Sequence, residues 1–410
     1  MFELDLIQTL AMGGLALAAG ACIVRAVPVL GRYNIPAAVI GGLLVALLVS
    51  LLRAADVAVV RFDTSLQTAL NTAFFTSIGF SASVALLRAG SGQALLFLAL
   101  ASFLAVGQGL IGMGVALAFG EHPLLGVLMG STALAGGPAT ALAFAPQFAA
   151  AGVPAAESLA IAAAMAGIVL GGLAGGPIAT RLLERHDLQS SRAAHAGASA
   201  APVVLPPGAS ALSSEAAAAD NEEESVRGTL KGLTVLLAAM ALGGGLSALF
   251  VQAGLTLPAY VGAMLVGALI RNLDDLTGWI RIPLNVTAQA GAVCLTLFLT
   301  IALMNLRLWE LASLALPLLV NLLLQVAVVA VFCWAVVFRV MGRDYDAAVM
   351  SGGFTGFMLG TTANAMAVMR TLVERCGPAP RAFLVAPIVG AFFIDFSNAL
   401  IITTFLNLFR

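Results

Sequence analysis

The chain has 410 residues, 61% of them hydrophobic and 10% charged, with 19 Lys and Arg against 20 Asp and Glu. So few charges exclude a set of ordinary soluble domains, in which about 25% of residues are charged. The near-zero net charge, with its basic residues scattered, gives no surface for a nucleic-acid partner.

The opening stretch, MFELDLIQTL, carries Glu3 and Asp5 but no Lys or Arg. It lacks the basic flank of a cleavable signal, so the first apolar run is expected to stay as a helix. Apolar runs long enough to cross a hydrocarbon core recur from there on. They predict spans near 7–24, 36–52, 65–87, 94–119 and 158–180, then 231–253, 258–270 with its flanks, 285–305, 312–338 and 383–407. Two further segments, 123–150 and 345–369, are apolar but broken near their midpoints by glycine, threonine and proline. These are the candidates for re-entrant hairpins.

Three regions follow. Residues 1–186 form an N-terminal repeat of five spans and one broken segment, and 230–410 a C-terminal repeat of the same make-up. Residues 187–229, rich in Ala, Ser, Pro and Glu without periodicity, read as a flexible linker. With the N-terminus outside, fifteen of the 19 Lys and Arg fall inside, and only Arg53, Arg61, Arg307 and Arg410 outside. The positive-inside rule therefore places both termini outside and the linker in the cytoplasm.

The halves match at a constant displacement of 222 residues: IPAAVIGGLLVALL (35–48) overlays LPAYVGAMLVGALI (257–270), and Gly130, Thr140 and Ala141 fall on Gly352, Thr362 and Ala363. Five spans is an odd number, so the second half is upside down relative to the first. The expected fold is all-α and polytopic, built from two inverted repeats. Inverted repeats with broken helices are the architecture of secondary transporters, whose sites lie near the midplane.

Hydrocarbon cannot satisfy exposed backbone, so a broken helix persists only where its freed groups face protein, water or a ligand. Around GGPATA, the residues Gly136, Gly137 and Thr140 are predicted to present N–H groups and a hydroxyl to an anion. In GGFTGFMLGTTANA, Thr361, Thr362 and Asn364 offer neutral oxygens and an amide for the same substrate site. Asp395, an acid near the centre of the last span, costs at least about 2.5 kcal/mol to insert and marks function by default. With its neighbours Ser397 and Asn398 it forms the candidate ion site. The glycines of GGLAGG, Gly171, Gly172, Gly175 and Gly176, read as a helix-packing stripe. Gln108 and Gln325 read as interhelical hydrogen-bond partners.

Cys22, Cys294, Cys333 and Cys376 lie far apart and read as packing thiols. His122, His186 and His195 give transition-metal chemistry little to work with, and no organic cofactor is implied. An intramembrane aspartyl protease needs two facing acids, and Asp395 is the lone acid deep in a span, so an enzyme is not expected. A channel accommodates broken helices but does not explain their pairing.

LRLWELASLALPLL, MGRDYDAAVMSGG, VLGGLAGGP and VAPIVGAFFIDFSNALI together resemble the bacterial sodium/glutamate symporter family, nearly end to end. The resemblance implies a symporter of the inner membrane, with Na⁺ as coupling ion and L-glutamate or a related small carboxylate as substrate. It also implies ten spans, two re-entrant loops, and a transport domain moving elevator-fashion against a homodimeric scaffold embedded in lipid. H⁺ coupling through Asp395, or another organic anion, is the same-class alternative. The first break departs from the family's usual GGHGTG: Pro138 stands where a polar residue is usual, and Ala139 and Ala141 where glycines are.

Overall fold

The computed structural model describes residues 2–32, 35–55, 60–85, 91–188, 218–252, 258–307, 311 and 314–409. Nearly all of them are helical, as burial of backbone in lipid demands; a two-residue parallel bridge, β1 (Phe2–Glu3) with β2 (Val60–Arg61), is the exception. Most of the linker, 189–217, lies outside the described residues.

In chain order the first half contains α1 (Leu6–Ala26), α2 (Pro28–Arg32), α3 (Ala37–Ala54), α4 (Gln67–Gly79), α5 (Ser91–Ala118), α6 (Pro123–Thr132), α7 (Gly137–Ala150) and α8 (Ala156–Arg185). The second half contains α9 (Ala218–Gln252), α10 (Ala259–Thr277), α11 (Leu284–Met304), α12 (Ala315–Val340), α13 (Tyr345–Met358), α14 (Thr362–Cys376), α15 (Pro380–Ile388) and α16 (Ile394–Phe409). Seven of the described helices are long and apolar enough to cross a membrane: α1, α3, α5, α8, α9, α11 and α12. The molecule is thus an all-helical polytopic membrane protein.

Three predicted spans look different in space. The 65–87 span is a 13-residue helix, α4, that ends in a turn at Phe80 and Ser81. The 258–270 span is a 19-residue helix, α10, whose last turns carry Arg271, Asp274 and Asp275. The 383–407 span is two helices joined by a π-turn at Val389–Phe393, just after Pro387, whose missing N–H interrupts the hydrogen-bond ladder.

Displacement by 222 residues carries the start of α3 onto that of α10 and the start of α6 onto that of α13, with proline at the N-cap of both α3 and α10. The helices pack in two groups. One joins α1, α3, α4, α9, α10 and α11; the other joins α5 to α8 and α12 to α16. They meet where α11 faces α7 and where α4 faces the π-turn at Val389–Phe393.

Close backbone approach sets the second group. Gly112 and Gly126 face each other so tightly that a Cβ on either would strike the partner's carbonyl, so α5 and α6 touch backbone to backbone. Gly171 and Gly175 lie the same way against α13 and α14, whereas Gly176 faces open space. Helices α13 and α14 form an antiparallel hairpin, Gly356 beside Ala365 and Gly353 beside Met369. Its base is fastened by the RDYD stretch. Asp344 caps α13 by accepting from the Ala347 N–H at 2.9 Å and pairs with Arg381; Asp346 accepts from the Arg381 and Ala382 N–H groups; the Tyr345 hydroxyl donates to the Gly377 carbonyl.

Candidate functional site

Both breaks open where the sequence places them. In α6 the ladder fails at Gly130, whose φ and ψ of −92° and −123° are not helical, and the following turn widens. The chain then passes Ala133 to Gly136 and restarts at Gly137, whose φ of +66° belongs to the left-handed region that only glycine enters cheaply. In the second hairpin α13 ends at Met358, and Thr361 starts α14 by accepting from the Asn364 N–H at 3.3 Å.

The two tips touch. A Cβ at Gly137 would stand 3.2 Å from the Thr361 methyl and 3.3 Å from the Gly360 carbonyl oxygen. Beside this contact lies a cavity of about 360 Å³, within the small-molecule range. One wall is built by the second helix group: Gly136, Pro138, Ala139 and Thr140 from the start of α7, Thr361, Thr362 and Ala363 from the start of α14, and Asp395. From the first group come only Pro36, Phe74, Phe75, Ile78, Leu295 and Leu299, while Ala135, Ile168, Phe357 and Ile394 add apolar lining from the second. Two helix N-termini and one carboxylate therefore face an apolar surface.

That arrangement has defined chemistry. The first N–H groups of a helix have no intrahelical partner, and with the helix dipole they favour a negative group. Two such ends on one cavity suit a ligand with two carboxylates. The carboxylate of Asp395 has the charge that suits a cation.

Of the nine predicted site residues, Gly136, Thr140, Thr361, Thr362 and Asp395 share this cavity, and Gly137 abuts it through the tip contact. The other three face elsewhere. Asn364 is buried and donates from Nδ2 to the Ile168 carbonyl at 2.7 Å, tying α14 to α8. Ser397 accepts from the Ser102 hydroxyl at 3.0 Å and donates to the Ile394 carbonyl at 3.2 Å. Asn398, fully buried, donates to the Ser131 carbonyl at 3.1 Å and so binds α16 to the first break. Even within the cavity, Thr362 is partly engaged, donating to the Gly390 carbonyl at 3.1 Å.

The structure adds Asn321, which sequence reasoning did not single out, and gives Gln108 and Gln325, read there as interhelical hydrogen-bond partners, carbonyls to serve. The broken ladder leaves the Met129 carbonyl without its usual partner, and Asn321 donates to it from Nδ2 at 2.9 Å. Gln108 does the same for the Met358 carbonyl at the end of α13, at 2.9 Å, and Gln325 donates to the Gln108 carbonyl at 2.8 Å. Side-chain amides thus stabilise both breaks from behind. The signal was an Asn and a Gln four residues apart inside LPLLVNLLLQV, which places both on one helix face. Around the first break, Ser131 Oγ, Thr132 Oγ1 and Asn398 Oδ1 are buried oxygens with no hydrogen-bond partner among the described residues. Such oxygens are costly unless something else satisfies them. Neutral oxygens one helical turn from Asp395 and Gly136 are the ligands a hard monovalent cation takes.

A model of the sodium/glutamate symporter family matches residues 2–378. The chain belongs to the sodium/glutamate symporter family. It is 39% identical to the sodium/glutamate symporter of Escherichia coli strain K12 over 409 residues, covering 100% of this chain and 99% of that protein. Similarity to the Shigella flexneri sodium/glutamate symporter is equal in identity and extent. To that of Haemophilus influenzae the chain is 37% identical over 395 residues, 96% of this chain and 95% of that protein. Membership makes this a transporter rather than an enzyme. The match to the symporter family model covers both breaks and the amides behind them, while the similarity to the Escherichia coli protein spans 409 of the 410 residues, Asp395 included.

Proposed function

We propose that this protein is a Na⁺-coupled symporter that imports glutamate by alternating access, with the cavity between the two helix breaks as its substrate site. The observation that carries this reading is the convergence of the α7 and α14 N-termini on one cavity that also holds Asp395. Glutamate has two carboxylates, one for each helix end. Gly136, Gly137, Thr140, Thr361 and Thr362 make the anion site, and Asn364 holds the second tip in place through α8. Asp395 carries the charge of the ion site, while Asn398, Ser131 and Thr132 supply neutral oxygens behind the cavity wall. Ser397 orients α16 through Ser102.

Alternating access is supported by the packing of the helices in two groups, with the polar wall of the cavity on one and the apolar wall on the other. We read the second group as the transport domain of an elevator and the first as its scaffold. The 222-residue displacement relating α3 to α10 and α6 to α13 supports an inverted repeat, with 123–150 and 345–369 as re-entrant segments. The same reading places the protein in the inner membrane as a homodimer, both termini outside and the linker in the cytoplasm.

Uptake into proteoliposomes with imposed ion gradients tests the function. An inward Na⁺ gradient is expected to drive uphill accumulation of labelled glutamate over other amino and dicarboxylic acids. Accumulation driven equally by H⁺ alone, or flux that never exceeds equilibrium, would overturn it.

A further inference from the structure

We propose that the adjoining ends of α8 and α12 form a binding site for an anionic phospholipid. Helix α8 has 30 residues and the α12 run 26, which at 1.5 Å per residue is about 45 Å and about 39 Å. Both exceed a hydrocarbon core of about 30 Å, so their last turns reach the headgroup layer. There they bound a cavity of about 680 Å³, larger than the one at the tips. Its floor is apolar, from Ile178, Ala330 and Val331, and its rim carries Arg181, Glu184, Arg185 and Trp334.

Two of the three arginines here are held by an aromatic ring. The Arg185 guanidinium lies 5.2 Å from the centre of the Trp334 ring, and that of Arg339 lies 6.0 Å from it. Trp334 thereby holds cations from both helices, an arrangement favoured by the ring quadrupole. Arg181, Arg185 and Arg339 form no ion pair among the described residues. With Glu184 the four groups carry a formal charge of +2.

A guanidinium fork matches a phosphate oxygen pair, a tryptophan suits the membrane interface, and the apolar floor suits acyl chain. Basic pockets between spanning helices select anionic headgroups on these grounds. The occupant is a phosphodiester lipid with net negative charge, not a zwitterionic one, whose ammonium would meet the same arginines. Since α8 also bears the Ile168 carbonyl that holds Asn364, the lipid would clamp the far end of a helix that fixes one tip of the cavity.

The experiment is lipid binding to detergent-purified protein by native mass spectrometry and thermal melting, with phosphatidylglycerol, phosphatidylcholine and the soluble headgroup glycerol phosphate. Phosphatidylglycerol is expected to bind and raise the melting temperature, and the other two are not. Each arginine is worth about fivefold in affinity, so R181Q/R185Q/R339Q should lose about a hundredfold. If that variant does not fold, Arg185→Gln alone should lose about fivefold. Equal stabilisation by phosphatidylcholine, binding of glycerol phosphate alone, or an unchanged phosphatidylglycerol affinity in either variant overturns the proposal.

Discussion

Asp395 is the one carboxylate on a cavity otherwise lined by neutral groups. Asp395→Asn keeps the shape and removes the charge, so the chain should still insert while Na⁺ activation of uptake disappears. The check is initial uptake against Na⁺ concentration; unchanged activation would take Asp395 out of the ion site. Pro138 repays the same attention. It occupies the first turn of α7 and lines the cavity, where its ring nitrogen offers no donor to an anion. Pro138→Ala adds one N–H, and a hydrogen bond to a charged group is worth about 1.5–3 kcal/mol. The KM for glutamate is therefore expected to fall by about tenfold, and an unmoved KM would place the bound carboxylate elsewhere. Residue identity alone separated cavity-lining groups from braces poorly. The glycines, Thr140, Thr361 and Asp395 were legible because a polar or flexible group in an apolar run needs a reason. Asn364 and Asn398 raised the same flag, yet their amides serve the backbone of Ile168 and Ser131. Sequence reports that a polar group is buried, not which carbonyl it faces.

At the scale of elements, the breaks were readable because glycine and proline punctuate helices by local sterics. Their bracing was not, since Asn321 and Met129 are 192 positions apart and only packing brings them together. Helix lengths erred for a related reason. Hydropathy counts apolar residues, and it continued α4 through Phe80 and Ser81, where the backbone turns. The RDYD stretch, part of what makes the chain resemble its family, turns out to fasten a hairpin. Asp344→Ala removes both an N-cap and the pairing with Arg381. A lost cap costs about 0.5–2 kcal/mol, so the variant should melt several degrees lower while retaining its KM. A changed KM with unchanged melting would mean that the base of the hairpin, and not only its tip, governs substrate binding.

For the whole molecule, energetics bound the stoichiometry. A tenfold Na⁺ gradient is worth about 1.4 kcal/mol, and one charge moved through 100 mV about 2.3 kcal/mol. One Na⁺ carried with one glutamate anion is electrically silent and supports only about tenfold accumulation. A second Na⁺ adds its own gradient and the voltage, raising the limit to roughly several thousandfold. At least two Na⁺ are expected per glutamate, and a reversal-potential measurement giving one would refute this. The polytopic character and the pairing of the breaks were visible in the sequence. The division of the helices into two groups was not, because it follows from which apolar faces choose each other, and apolar faces are nearly interchangeable in composition.

The two-sided cavity has a consequence for leakage. Its charged and dipolar wall belongs to one group of helices and its hydrocarbon wall, Phe74, Phe75, Leu295 and Leu299, to the other. Any slide of one past the other drags the site's net charge along an oily track, and an unbalanced charge there is expensive to desolvate. Asp395, two sodium ions and one glutamate anion sum to zero. With glutamate and no sodium the same site carries −2, the largest charge of any loading state and the costliest to slide. On this view the oily wall holds back glutamate that sodium has not joined, so that part of the coupling arises from solvation.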